Sequence, residues 1–204
     1  MTTYNTKKLI LFYEQNVIRY KNNIKALAWG SRMSQEKRFE ILSQISDIEG
    51  KSILDVGCGL GDFYKWLKLM YKNIDYTGID ISPSMIDAAS ANFPEADFEV
   101  LDIIETDDDK TKYDYVFASG IFNRRIPNHW SFVCEAIKKM YLFCNYGVAF
   151  NVMSTKADFM EKEEFYAEPG KILKFCLSLS RKSILRHDYM PHDFTVFIYK
   201  EGYG

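Results

Sequence analysis

Residues 52–62, Ser52-Ile-Leu-Asp-Val-Gly-Cys-Gly-Leu-Gly-Asp62, decide how the rest of the chain reads. Ile53, Leu54 and Val56 make a short apolar run, the length and composition of a buried strand, and it runs directly into Gly57, Gly59 and Gly61. Glycines at a strand end allow a tight turn and a close approach of ligand to backbone, and the helix that follows offers free N–H groups to an anion. Asp62 is placed to cap that helix, whose apolar face carries Phe63, Trp66, Leu67 and Met70.

Downstream the same rhythm repeats. Asp75–Ile79 reads as a second strand, and Pro83 opens a helix over Ser84–Ala91. Phe98–Leu101 and Tyr113–Ala118 read as strands, a helix follows around Trp130–Phe143, and Gly147–Val152 is a fifth strand. Strands separated by helix-length segments imply βαβ units and a parallel sheet. After Glu168-Pro169-Gly170 and a helix through Ile172–Leu179, Ser183–His187 and Phe194–Tyr199 follow in quick succession around Pro191. That spacing leaves no room for a crossover helix and predicts an antiparallel hairpin. Upstream, Leu9, Phe12, Ile18, Ile24 and Leu27, then Phe39, Ile41, Leu42 and Ile45, recur at helical spacing with a break at Trp29–Ser31. The expectation is one α/β domain over 1–204: a helical cap over 1–48, and over 49–204 a three-layer sandwich around a seven-stranded, mostly parallel sheet.

Composition narrows the function. The 204 residues suit one domain, and the net charge of −2 gives no global field for nucleic acid. Fifteen Phe and fourteen Tyr are read as an aromatic core. Cys58, Cys134, Cys144 and Cys176 form no CxxC pair and have no His at ligand spacing, so reduced thiols and no metal are expected. No apolar run approaches the roughly 20 residues that span a bilayer, and no cleavage-type leader is seen. A soluble, cytoplasmic protein is expected.

Three loop classes compete for the glycines. A phosphate-binding P-loop needs a Lys-Ser/Thr that is absent, and the dinucleotide fingerprint places Gly or Ala where this chain has Asp62. An acidic residue just before a GxGxG loop fits without adjustment, with Asp55 set to engage the ammonium of an amino-acid-like ligand and loop amides facing the rest. Asp80 ends the second strand, where a carboxylate can accept from both hydroxyls of a ribose. Asp102-Ile103 ends the third, where a carboxylate can accept from an exocyclic adenine amine and a backbone N–H can donate to a ring nitrogen.

In order, ILDVGCGLGDF, YTGIDISPSMI, FEVLDI and YDYVFASGIF resemble the core of the class I, Rossmann-like S-adenosylmethionine (SAM) dependent methyltransferases, of the small-molecule type. The closing hairpin resembles that family's terminal strands. The resemblance implies SAM as cofactor, S-adenosylhomocysteine (SAH) as product, and no metal. It implies a cofactor loop of Asp55, Gly57, Cys58, Gly59 and Gly61, with Asp80 on the ribose and Ile81 and Met85 flanking the adenine. Asp102 and Ile103 would meet the adenine edge, and Ser119 and Gly120 would lie under the methionine portion. Trp29 would fold over the cofactor as a lid, with Tyr20 and Arg32 near the acceptor.

The acceptor side is less legible. Ser119-Gly-Ile-Phe-Asn-Arg-Arg125 should project toward the methyl group, which makes Phe122, Asn123, Arg124 and Arg125 acceptor candidates. The Asn/Asp-Pro-Pro-Tyr/Phe signature of nucleic-acid and glutamine N-methyltransferases is absent there. Arg124 and Arg125 can grip an anion. His187, His192 and Tyr189 in the hairpin are candidate bases, while His129 reads as a cap or surface residue. The expected activity is methyl transfer to a small polar acceptor, anionic or sugar-like, on oxygen ahead of nitrogen, with no nucleic-acid or membrane partner. A SAM-binding protein without catalysis stays open. A nicotinamide-dependent oxidoreductase is opposed by Asp62 and the hairpin.

Overall fold

The computed structural model describes residues 6–21, 23–27, 30–106 and 111–202. β1 (Ser52–Val56) lies mid-sheet, paired in parallel with β2 (Asp75–Asp80) on one side and β4 (Tyr113–Ala118) on the other. Both its faces are covered, which is why its sequence is a near-continuous apolar run. With β3 (Asp97–Val100), β5 (Cys144–Met153), β6 (Ser183–Met190) and β7 (Asp193–Tyr199), the strand order is β3-β2-β1-β4-β5-β7-β6. β7 is antiparallel to both β5 and β6, as the tight spacing of the last two strands requires. The order reverses between β1 and β4, so a crevice opens beyond the C-terminal ends of these strands.

One face of the sheet packs Leu54, Val116, Val148 and Phe150 against α5 (His129–Phe143) and α6 (Pro169–Leu179). The other packs Ile53, Tyr115, Phe117 and Ala149 against α2 (Arg32–Ser43) and α3 (Asp62–Met70). Aromatics fill this second layer, with Phe63 5.3 Å from Phe117 and Tyr64 4.8 Å from Tyr76, ring to ring. α4 (Pro83–Asn92) covers β2 and β3.

Of the boundaries that differ from the sequence expectation, three have a cause in the pairing of the sheet. β5 starts at Cys144, because that residue still pairs with Tyr113 across a bulge. β3 starts and stops one residue early, and the Leu101 N–H goes instead to the Asp80 carbonyl at 3.0 Å. β6 continues through a bulge to Met190, which shortens the hairpin turn to Pro191 and His192.

The N-terminal region divides in two. α1 (Thr6–Tyr20) and a short 3-10 turn, Ile24–Leu27, lie over the crevice, whereas α2 belongs to the sandwich through Phe39, Ile41 and Leu42. Ser31 starts α2 by accepting from the Ser34 N–H at 3.1 Å. Trp29 lies outside the described residues.

Candidate active site

The crevice is a cavity of about 660 Å³, within the range of small-molecule sites. Three carboxylates rim it from the ends of β1, β2 and just past β3: Asp55, Asp80 and Asp102. Asp55 is 2% exposed and accepts from the Tyr76 hydroxyl at 2.7 Å. Burial pushes its carboxyl up to about 7, with nearby Asp80 adding to the rise and the Tyr76 hydroxyl opposing it. Asp80 ties two loops together, accepting from the Gly59 N–H at 3.0 Å and the Ser82 N–H at 2.9 Å. Burial raises Asp80 and Asp102 as well.

The glycine loop works differently from the expectation. The N–H groups of its glycines and of Cys58 are taken within the protein: those of Gly57 and Cys58 go to the Ile79 carbonyl at 2.7 and 3.0 Å, Gly59 gives its own to Asp80, and Gly61 gives its own to the Cys58 carbonyl at 3.0 Å. What the glycines supply is room. Gly57 has φ +74°, and a Cβ there would lie 2.2 Å from Ile121 Cγ2. At Gly59, φ +55°, a Cβ would lie 2.5 Å from Leu27 of the cap.

Opposite this loop, Ser119 and Gly120 are held by a residue the sequence did not single out. Asn151 of β5, 1% exposed, accepts from the Gly120 N–H at 3.0 Å and donates to Ser119 Oγ at 3.2 Å. Ile81, Met85 and Ile103 complete the apolar part with Leu9, Ile104 and Phe132.

Further out, Asn123 and Arg124 line the cavity together with Tyr13, Glu161, Glu164 and Tyr166, which sequence reasoning also missed. Arg124 pairs with Glu164 across an antiparallel bridge, and the Phe165 N–H reaches the Asn123 carbonyl at 2.7 Å. The Arg124 guanidinium lies 3.8 Å from both Glu163 and Glu164 and 4.5 Å over the Phe12 ring. Arg125 is exposed and outside the cavity, its Nε donating to the Glu164 carbonyl at 3.1 Å. Phe122 is fully buried between Phe132 and Phe150, a core residue. Gly61 packs against Phe93, Tyr20 sits with Val17 and Leu60, and Arg32 is exposed; none lines the cavity.

The hairpin brings one of its three candidates to the site. His192, in the two-residue turn, lines the cavity; burial, with Arg38 adding, lowers its imidazole below the usual range. His187 stacks on Phe194, and Tyr189 turns to Thr195 Oγ1 at 2.9 Å; both lie off the cavity. His129 is neither cap nor surface. It is 6% exposed, stacks on Phe165 at 3.9 Å and accepts from the Ile126 N–H, and burial drives it down to about 4. Beneath the turn, Arg38 Nε pairs with Asp193 Oδ2, and Arg38 Nη1 donates to Ser34 Oγ at 2.7 Å.

Comparison with known proteins agrees with this geometry. The sequence profile of a methyltransferase domain matches residues 53–141. The Mycobacterium tuberculosis protein Rv1506c, which carries a methyltransferase name, is 35% identical over 159 residues, covering 73% of this chain and 93% of that one. A malonyl-[acyl-carrier protein] O-methyltransferase of Acetivibrio thermocellus is 39% identical over 93 residues, which is 43% of this chain and 32% of the relative. The magnesium protoporphyrin IX methyltransferase of Synechocystis, solved with bound SAH, shares the fold with a TM-score of 0.70 at 11% identity, over 97% of this chain and 100% of that one. With the acid-rimmed glycine loop at its switch point and these relatives, the chain belongs to the class I S-adenosylmethionine-dependent methyltransferases.

Proposed function

We propose that the cavity binds SAM and that the protein transfers its methyl group to a hydroxyl of a small polar acceptor, with His192 as the base. The observation that carries this reading is the cavity itself: three carboxylates from successive strand ends around a glycine loop that a single Cβ would obstruct. The residues fit the cofactor. Asp80 has lone pairs left for ribose hydroxyls beyond its two backbone bonds, Asp102 with Ile103 suits the adenine edge, and Ile81 and Met85 suit its faces. Ser119 and Gly120, fixed by Asn151, form the floor for the methionine portion.

When bound, the cofactor supplies a methyl group already activated by a positive sulfur. The protein's residues then act by positioning the acceptor, excluding water under α1, and taking the acceptor's proton. His192 suits the last task, because its lowered pKa leaves the imidazole neutral at pH 7. Purified protein with SAM and a panel of hydroxylated metabolites should release SAH. With an accepted substrate, His192→Asn should lower kcat about a hundredfold with the KM for SAM unchanged. A kcat within about threefold of the parent would remove the base from this mechanism.

Asp55 makes cofactor affinity depend on pH. Its carboxyl sits near 7 in the free protein and must be ionised to pair with an ammonium, so binding expels a proton below that pH. Affinity for SAH should therefore rise about tenfold per pH unit up to about 7 and level off above it. Calorimetry near pH 6 in buffers of different ionisation enthalpy should report close to one proton released, and Asp55→Asn should flatten the dependence. A parent affinity independent of pH across this range would show that Asp55 does not meet the ammonium.

A further inference from the structure

The charges lining the cavity do not balance. Among the described residues the only Lys or Arg side chains that line it are Arg38 and Arg124, and each already has carboxylates beside it: Asp193 for the first, Glu163 and Glu164 for the second. Glu161, Glu164 and Asp62 line the same cavity in addition to the three strand-end carboxylates. The acidic wall is built, not a loose loop. Glu161 is anchored by its N–H to the Tyr166 hydroxyl at 3.0 Å, and the Arg125 N–H joins the Glu163 carbonyl at 2.9 Å. Tyr13 lies within the fields of Asp80 and Glu164, so this wall borders the cofactor's rim. Glu164 itself is raised above the usual carboxylate range by burial, with Glu161 and Glu163 adding and Arg124 opposing.

We propose that the acceptor is a small molecule bearing a protonated amine, seated against Glu161 and Glu164, and not a carboxylate or phosphate. This rests on the methyltransferase reading above. An ammonium entering here meets carboxylates and desolvates no unpaired cation. An anion would have to take Arg124 from Glu163 and Glu164 or stand against Glu161 unpaired, and charge mismatch of that kind is how sites reject wrong partners.

The test uses SAH-loaded protein at low ionic strength and three probes on one ring: glucosamine, glucose and glucose 6-phosphate. Calorimetry should show the ammonium sugar binding at least about tenfold more tightly than the phosphate sugar, with glucose between them. The double variant Glu161→Gln, Glu164→Gln should bring the three within about twofold of one another, while SAH still binds. An equal or reversed order in the parent overturns the proposal, and so does an absence of detectable glucosamine binding. Failure of the parent to bind SAH overturns instead the reading on which it rests.

Discussion

Asp80→Ala is expected to weaken SAH binding by about a thousandfold. Each hydrogen bond from a ribose hydroxyl to a carboxylate contributes about 1.5–3 kcal/mol, and two would be lost, which spans roughly 10²–10⁴ in Kd. Asp80 is half-buried, with Tyr13 and Leu27 of the cap lining the same cavity, which places the effect in the middle of that range. The same change removes the acceptor of the Gly59 and Ser82 N–H groups, so the glycine loop and the start of α4 should also loosen. Asp80→Asn separates the two effects. It keeps the shape and one acceptor oxygen, so it should retain much of the parent's melting temperature and still bind SAH well below parent affinity. Calorimetry on both variants beside the parent checks this. An Asp80→Ala protein binding SAH within about fivefold of the parent would mean the ribose lies elsewhere.

Asp55, Asp80 and Asp102 were legible from sequence because local pattern fixes them: each lies within two residues of the C-terminal end of a short strand, and strand ends in a parallel sheet share a rim. The acceptor side was not legible, because its residues meet through pairings distant in the chain. Arg124 looked like a free cation. Its carboxylates come from a segment about forty residues later, through a bridge to Glu164 that no local signal announces. The three hairpin candidates could be separated only by register. The bulge between Arg186 and Met190 and the start of β7 at Asp193 put His192 in the turn over the cavity and leave His187 against Phe194. The same reason hid the use of the loop amides, since the Ile79 carbonyl reaches them only once β2 lies beside β1. Asn151 read as an ordinary strand residue, its role visible only when β5 is set beside β4.

Breaking the Arg38–Asp193 pair from one side is expected to cost about 3–5 kcal/mol of stability. Both side chains are nearly inaccessible, at 4% and 1% exposure, so Asp193→Ala would leave a guanidinium buried without its carboxylate. The pair is not a net gain in itself. Burial lifts Asp193 to about 6 even with Arg38 against it, so desolvation outweighs the attraction. A carboxyl whose folded pKa lies above its unfolded value binds more protons when folded, so its contribution to stability declines as pH rises from about 4 through about 6. It follows that Arg38→Met with Asp193→Leu should recover most of the loss and abolish that decline, although each single change is severe. Urea unfolding at pH 5 and pH 7.5 reads both effects, and a single-variant loss under about 1 kcal/mol would show the pair to be solvated. What the double variant should not recover is activity. Arg38 lies in the cavity wall, reaches Ser34 on α2 and sets the charge beside His192, while Asp193 begins β7 directly after that histidine. A stable double variant with parent-like SAH affinity and kcat reduced at least tenfold would mark the pair as the fixture that aims the hairpin turn at the acceptor.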